Sequence, residues 1–269
     1  SRCASRVLTS LRDQPANVNA QDQHFSWQVK LRSLGALRCS GVLIDRMNYQ
    51  PRNWNVDLSS NQRPASTTTN TTGESVLVDS FFLYGAYRQT DTRHNFALVR
   101  LHPNNVVQHH KPACVISSSD DVRNLNCLSV GWGSGGAGEP PVPTVRRWSV
   151  VDSQLCAQRY NRTVETDSLC AQLPDDSGGS GLCVGDTGAP LMCQFPDGWK
   201  VTGVVSETLG CDDVIRQPVI FVSVQYYLSF LQKLMALPDA YFAPSAIPPA
   251  SGDGSEREVT TSRARDVIG

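Results

Sequence analysis

Short runs in which apolar and polar residues alternate recur along this chain. Phe25 to Leu31 is the clearest of them, and it predicts a strand with one buried face. Ser75 to Leu83 and Asn95 to Leu101 also have the composition of strands. Further strands are predicted at Cys39 to Ile44, Cys127 to Trp132, Arg147 to Val151, Trp199 to Val205 and Val219 to Val224.

Helical periodicity is confined to two stretches. Gln154 to Tyr160 predicts a short helix before Asn161. Tyr226 to Leu237 predicts a better one, ended by Pro238, because leucines and a methionine recur on one helical face. Many short strands with turn signals and one good helix near the end predict an all-β barrel fold.

Composition divides the chain into three regions. Residues 1–23 are polar and have no clear period, so they predict an extended arm that carries Cys3. Residues 24–237 hold the predicted strands and helices and form one domain, with a long polar surface loop at residues 59–75. In residues 238–269, proline, serine, glycine and alternating charges replace the apolar pattern, which predicts a disordered tail.

Charge and apolar content exclude several classes of partner. The chain has 269 residues, of which 18% are charged, and its formal net charge is −1. This gives no electrostatic basis for binding nucleic acid or an anionic membrane surface. No apolar run is long enough to cross a bilayer, so no membrane span is expected. No cofactor is expected either.

The cysteines indicate the compartment. There are nine of them, too many for a reducing compartment unless they bind metal. They include no Cys-x-x-Cys pair and have no histidine partners at zinc-like spacing, so we expect disulfides and no metal. Glycosylation sequons at Asn70 and Asn161 lie in polar surroundings typical of surface loops. The sequence therefore predicts a secreted, extracellular glycoprotein.

The segment Cys183 to Leu191 places a carboxylate, a threonine, two glycines and a proline together. It resembles the Gly-Asp-Ser-Gly-Gly-Pro signature of trypsin- and chymotrypsin-like serine proteases, with Thr187 at the nucleophilic serine and Ala189 at the last glycine. Other segments resemble the family in the same order: Phe-Ser-Trp-Gln-Val at 25–29, Cys-Ser-Gly-Val-Leu-Ile at 39–44, Asn-Phe-Ala-Leu-Val-Arg-Leu at 95–101, Gly-Trp-Gly at 131–133, Asp-Ser-Leu-Cys-Ala at 167–171 and Phe-Val-Ser-Val at 221–224. The resemblance implies two six-stranded antiparallel β-barrels, with any site in the cleft between them.

The same resemblance implies how the cysteines pair. It selects four disulfides: Cys3–Cys114, Cys127–Cys193, Cys156–Cys170 and Cys183–Cys211. Cys39 is left over, because its partner in the family directly follows the catalytic histidine and is missing here. A buried, inert Cys39 is the simpler interpretation. A disulfide from Cys39 to a second chain or an external partner is the alternative.

Catalysis in this family needs a serine activated by a histidine whose tautomer an aspartate fixes. Without a gap, the histidine position falls on Trp54 or a residue nearby, and the aspartate position falls on Asn95. An amide cannot supply the charge that stabilises an imidazolium, and the methyl group of Thr187 restricts its rotamers. All three positions are altered together, so the resemblance predicts no peptidase activity.

None of the histidines is expected to replace the missing base. His94 precedes Asn95, so on a strand the two side chains would point to opposite faces. The others lie in loops or connections: His24, His102, His109 and His110. The adjacent pair among them is not expected to bind a metal, since no third ligand is nearby.

The positions of the activation switch and the substrate pocket are altered as well. In the family, a terminus freed by cleavage pairs its ammonium with an aspartate retained here as Asp186, but residues 14–19 do not match that terminus. If Asp186 is buried, it needs other hydrogen-bond donors or a neutral carboxyl group. If Asp186 is not buried, its loop is expected to keep a zymogen-like conformation. Gly181 falls at the base of the pocket, so nothing predicts recognition of Lys or Arg. Glu207 follows Ser206 where the family usually has a tryptophan lining the groove.

The sequence thus predicts a catalytically inactive homologue that acts by binding proteins, as a cofactor, scaffold or decoy for proteases or their substrates. Cys3 to Arg6 resembles the start of the protease-like domain in arthropod clip-domain homologues, which implies an extracellular cascade of immunity or development. Two alternatives stay open. One is an unconventional peptidase with Thr187 as its nucleophile, and the other is a structural protein crosslinked through Cys39.

Overall fold

The structure, a computed structural model, describes residues 28–33, 36–42, 54–58, 75–87, 93–101, 112–123, 125–131, 144–174, 182, 186–207 and 218–237. The arm at 1–23, nearly all of the loop at 59–75 and the tail at 238–269 lie outside the described residues. The interpretations of those three regions therefore stay predictions.

Strands dominate the described residues. They are β1 (Gln28–Ser33), β2 (Ala36–Val42), β3 (Trp54–Leu58), β4 (Ser75–Leu83), β5 (Ala97–Leu101), β6 (Cys114–Val115), β7 (Cys127–Gly131), β8 (Thr144–Val151), β9 (Ser168–Gln172), β10 (Pro190–Phe195), β11 (Gly198–Glu207) and β12 (Val219–Ser223). The helices are α1 (Ser153–Tyr160) and α2 (Leu228–Met235). Neither of these two described helices has the length and apolar content needed to cross a membrane.

The first five strands form an open half-barrel in the order β2-β1-β3-β4-β5, with every neighbouring pair antiparallel. In β4, Val76 and Val78 are fully buried while Leu77 between them is exposed, because successive side chains of a strand point to opposite faces. Leu31 of β1 and Val56 of β3 pair directly across the sheet and join the same core. The half-barrel therefore has one apolar face turned inward.

The later strands form a closed barrel. Neighbours follow the order β10-β7-β8-β9-β12-β11, and a further pairing of β10 with β11 closes it. β6 adds a short parallel strand beside Lys200 and Val201 of β11. One disulfide, Cys127–Cys193, joins residues that lie opposite each other on β7 and β10, and another, Cys156–Cys170, ties α1 to β9. The predicted two-barrel, all-β fold is confirmed, with the first barrel open in the described residues.

The helix α2 packs against the half-barrel. Phe230 and Leu234 of α2 form a small apolar cluster with Phe82 of β4. Leu231, on the next position of the helix, belongs to the main core. The apolar face that the sequence predicts for this helix therefore packs against a strand formed much earlier in the chain.

Four of the described strands are not predicted by the sequence pattern: β3, β6, β9 and β10. β10 starts at Pro190 and is buried on both faces, so it has no apolar–polar alternation to reveal it. β6 has only two residues. The predicted start of β8 at Arg147 is also late: the strand begins at Thr144 and so includes Arg146.

Candidate functional site

Asn95 lies just before β5, at the position where the resemblance expects a catalytic aspartate. Its Nδ2 donates a hydrogen bond to Oγ of Ser206 on β11, 3.1 Å away. Ser206 is buried and Asn95 is exposed. The contact joins the half-barrel to the closed barrel, but the amide contributes no negative charge to it.

Thr187 lies in a turn that bridges the two barrels. Its carbonyl oxygen accepts a 2.8 Å hydrogen bond from the N–H of Ser40 on β2, and the N–H of Gly188 donates to the carbonyl oxygen of Val205 on β11 at 2.9 Å. Gly188 has a φ of 86°, and a Cβ there would overlap the carbonyl oxygen of Ser40. The turn therefore requires glycine at this position, and it leaves Thr187 partly buried.

Asn95 and Thr187 line the same cavity. It has a volume of about 520 Å³ and is largely apolar, with Cys39 of β2, Phe81 of β4 and Leu231 of α2 in its wall. The structure therefore brings two of the three altered catalytic positions to one place.

Trp54 is the residue at the catalytic histidine position in the ungapped alignment. It is the first residue of β3, where it pairs with Ser33 of β1. In the half-barrel, β4 lies between β3 and β5. Strand pairing thus places Trp54 two strands away from the strand that follows Asn95.

His94 directly precedes Asn95, but its imidazole contacts Tyr227 and Asp167. Its Nδ1 lies 2.8 Å from the hydroxyl of Tyr227 and 3.3 Å from Oδ2 of Asp167. Among the described contacts of His94, none places the imidazole as a base for Thr187. The other four histidines lie outside the described residues. Within the described part of the chain, no group of three or more potential ligands is arranged to hold a metal ion.

Asp186 is fully buried beside Thr187, and the structure provides a counterion for it. Nη1 of Arg146 on β8 lies 3.5 Å from Oδ2 of Asp186, and Arg146 is itself buried. Gly131 leaves room for the pair, because a Cβ there would overlap the carboxylate of Asp186. A buried carboxylate is costly unless it is paired. Arg146 therefore provides the cation that the resemblance expects from a freed terminus.

Glu207 contacts residues at and just after the end of α1. Its carboxylate forms an ion pair with the guanidinium of Arg162, and its carbonyl oxygen accepts a 3.3 Å hydrogen bond from the hydroxyl of Tyr160. Asn161, the asparagine of the second sequon, lies between these two partners, is exposed and ends α1 in a left-handed conformation. The last residue of β11 is therefore connected to the end of α1. Gly181 lies outside the described residues.

The cysteines of the described residues are mostly paired. Two of the four predicted disulfides are present, Cys127–Cys193 and Cys156–Cys170, and Cys114 is also disulfide-bonded. The remaining predicted partners lie outside the described residues: Cys3, Cys183 and Cys211. Cys39 is not in a disulfide.

Burial raises the pKa of the Cys39 thiol to about 11. The thiolate is the reactive form, so at about pH 8 nearly all of Cys39 is unreactive. We expect iodoacetamide to label Cys39 at least about tenfold more slowly in the native chain than in denaturant at about pH 8. The native rate should rise as the pH approaches 11. Mass spectrometry locates the label, and a Cys39→Ser variant is the control; equal rates with and without denaturant would contradict the burial.

The fold and the site together define the class of protein: two β-barrels joined at a glycine-containing turn, with the altered catalytic positions on a shared cavity. A family model described as trypsin matches residues 16–231, which is most of the chain. The chain therefore belongs to the trypsin family.

The sequence patterns do not indicate two sets of largely buried polar contacts near the site. One joins Arg146 to Asp186, and the other joins His94 to Asp167 and Tyr227. Arg146 could have been recognised, because it stands two residues before Trp148 and so shares a face with this buried residue in β8. Asp167 lies in a segment that resembles the family and Tyr227 lies in the predicted helix at Tyr226 to Leu237, but the two are separated by 60 positions. Only the fold brings them together with His94.

Proposed function

We propose that this chain is a non-catalytic member of the trypsin family that acts by binding other proteins. The observation that carries the proposal is the contact of Asn95 with Ser206, in which a neutral amide stands where catalysis needs a carboxylate. An amide cannot stabilise the charged form of a catalytic histidine. The general base would therefore lack its orienting charge even if a histidine were present.

The contacts of His94 and Thr187 support the same proposal. The described polar contacts of the His94 imidazole are with Tyr227 and Asp167, and His94 is not among the described residues that line the cavity, so it is not placed to take a proton from the hydroxyl of Thr187. A hydroxyl without an adjacent base is a weak nucleophile. The role of Thr187 is then structural, because its carbonyl oxygen accepts a hydrogen bond from the N–H of Ser40 and so stabilises the turn.

The ion pair of Arg146 with Asp186 supports a role that does not depend on cleavage. Both partners belong to the same chain and both are buried. The turn that contains Thr187 therefore has its counterion without a new terminus. A binding surface built on this turn is present as soon as the chain has folded.

We infer that the setting is an extracellular proteolytic cascade of immunity or development. Disulfides persist in oxidising compartments, and Asn161 is exposed as a glycan acceptor must be. In such a cascade, a trypsin-like domain without peptidase activity acts as a cofactor, scaffold or decoy for proteases or their substrates. The clip-domain resemblance at Cys3 to Arg6 favours the same setting.

We expect the purified chain to hydrolyse no member of a broad panel of fluorogenic peptides faster than its Thr187→Ala variant. The physical reason is that the base, its orienting carboxylate and the serine are all replaced. Initial rates over a wide range of chain concentrations provide the measurement. Turnover that is lost in Thr187→Ala would overturn the proposal and establish the peptidase alternative, which the cavity shared by Asn95 and Thr187 favours.

The binding role needs its own assay. The chain is added in increasing amounts to an extracellular fluid in which a protease cascade has been triggered, and the cleavage of a chromogenic substrate is followed. We expect a concentration-dependent change in rate that heat-unfolded chain does not produce. An unchanged rate across the whole range would contradict the cascade role and leave the absence of peptidase activity standing.

The crosslinking alternative is less well supported than the binding role. Cys39 lies in the wall of an apolar cavity and its thiol is held in the neutral form. Non-reducing electrophoresis of the natural protein distinguishes the two: a dimer that disappears in Cys39→Ser would favour a structural role.

A further inference from the structure

The turn that ends α1 exposes an asparagine on a fixed backbone. Asn161 follows Tyr160, the last residue of α1, and its backbone is left-handed, with a φ of 49° and a ψ of 44°. Its N–H donates to the carbonyl oxygen of Ala157, and the N–H of Arg162 donates to the same oxygen at 3.1 Å. The helix therefore holds the backbone of this turn, while Asn161 itself is exposed.

The side chains of the sequon at Asn161 are not occupied by the fold. Among the described contacts, neither the amide of Asn161 nor the hydroxyl of Thr163 forms a hydrogen bond, and both residues are exposed. The left-handed conformation explains an asparagine at this position, because asparagine adopts it more readily than most residues. It does not explain the threonine two residues later. The two residues together are what an N-glycosylation acceptor requires.

The two residues that flank Asn161 both contact the closed barrel. The hydroxyl of Tyr160 lies 3.3 Å from the carbonyl oxygen of Glu207 and 3.1 Å from that of Pro218. The guanidinium of Arg162 forms an ion pair with the carboxylate of Glu207. Consecutive Cα atoms are about 3.8 Å apart. A group attached to Asn161 therefore stands directly beside the residues that contact the end of β11.

We call residues 159–163 the α1 turn, and this turn adjoins the candidate site. Glu207 follows Ser206 in β11, and Ser206 accepts the hydrogen bond from Asn95. The Cys156–Cys170 disulfide ties α1 to β9, so the helix that carries the turn is covalently fixed to the closed barrel. A group on Asn161 therefore has a defined place beside the strand that carries Ser206.

The α1 turn also contains bonds that a protease can reach. Arg159 is exposed, and the side chain of Arg162 is 31% exposed. An arginine-specific protease cleaves after such residues, and exposed turns with polar side chains are preferred sites of nicking. A chain that acts beside other proteases, as proposed above, is open to cleavage at this turn unless the turn is covered.

We propose that Asn161 carries an N-linked glycan that covers the α1 turn and protects it from cleavage by other proteases. Nδ2 of Asn161 loses a proton and bonds to the anomeric carbon of an oligosaccharide, and the lipid pyrophosphate that carried the oligosaccharide leaves with the bonding electrons. Glycosylation there rests on the extracellular setting of the proposed function, because the lipid-linked donor belongs to the secretory pathway. A glycan is bulky and lies on the surface, so it keeps a protease from the turn.

The presence of the glycan is measured on the natural protein. Peptide-N-glycosidase in heavy-oxygen water releases an N-linked glycan and leaves a heavy-oxygen carboxylate in place of the asparagine amide. We expect mass spectrometry to find this label in the peptide that contains Asn161. An unlabelled Asn161 would overturn the proposal, whatever the peptidase and cascade assays show.

A pair of variants tests the protection. Thr163→Ala removes the sequon without changing Asn161, and Thr163→Ser keeps it as the matched control. Both are secreted from a eukaryotic host and incubated with an arginine-specific protease. We expect cleavage after Arg159 and Arg162 to be at least about fivefold faster in Thr163→Ala. Cleavage after Arg123, whose side chain is 81% exposed between β6 and β7, should proceed equally in both variants.

The rate after Arg123 separates loss of the glycan from loss of the fold. If Thr163→Ala is also cleaved faster after Arg123, the wild type deglycosylated under native conditions replaces it, with untreated wild type as its control. Equal cleavage of the α1 turn with and without the glycan would overturn the protective role. Neither result depends on whether the chain alters a protease cascade.

Discussion

Arg146→Met is expected to lower the free energy of unfolding by about 3–5 kcal/mol. The variant keeps an unbranched side chain that resembles the aliphatic part of arginine, but it removes the guanidinium 3.5 Å from Oδ2 of Asp186. Asp186 is fully buried, so the variant would remove the guanidinium that compensates its charge in the protein interior. Urea unfolding followed by tryptophan fluorescence measures the loss.

A second variant separates the loss of the ion pair from the loss of packing. Arg146→Met combined with Asp186→Asn removes the buried charge as well as its partner. We expect the double variant to recover at least about 1–2 kcal/mol of the lost stability, because exchanging a buried ion pair for neutral groups costs much less than breaking it. Arg147→Met, on the neighbouring and less buried position of β8, should cost less than Arg146→Met. An equal loss in both single variants would mean that the pair with Asp186 contributes nothing specific.

Gly188→Ala is expected to destabilise the domain by about 3 kcal/mol or more. Two causes act together. A residue with a Cβ is strained at a φ of 86°, and the added Cβ would overlap the carbonyl oxygen of Ser40, which is backbone and cannot rotate away. The turn would have to move, and its hydrogen bonds to Ser40 and Val205 would lengthen or break. The shift in the urea midpoint measures the effect.

Thr187→Ala is the matched control for this prediction, since it changes the neighbouring residue without adding an atom. Thr187 contributes its backbone carbonyl to the turn, which alanine preserves. We expect its effect on the free energy of unfolding to stay within about 1 kcal/mol. A Gly188→Ala variant as stable as Thr187→Ala would show that the turn adapts to a side chain.

Much of the fold follows from local patterns in the sequence. β4 has the bounds that the sequence predicts, Ser75–Leu83, because Val76 and Val78 alternate with more exposed residues. α2 lies within the predicted Tyr226 to Leu237, because its apolar positions recur at helical spacing. β10 does not follow from the sequence pattern, because a strand buried on both faces has no apolar–polar alternation.

The candidate site is likewise predicted only in part by the sequence. The resemblance places Asn95 and Thr187 at altered catalytic positions, and the structure brings both to one cavity. Neither Arg146 nor the cluster at His94 follows from the sequence, because each depends on side chains that the chain brings together over long separations. The sequence requires donors for a buried Asp186, but the choice of Arg146 depends on the register between β7 and β8.

The position of α2 has a consequence for how the protein is made. The apolar side of β4 around Phe82 is covered by Phe230 and Leu234, which leave the ribosome roughly 150 residues later. During synthesis at about 5–20 residues per second, that surface stays open to water for many seconds, and such surfaces aggregate. β12 is likewise required before the second barrel can close. A chain that ends before residue 230 therefore lacks the side chains that cover Phe82.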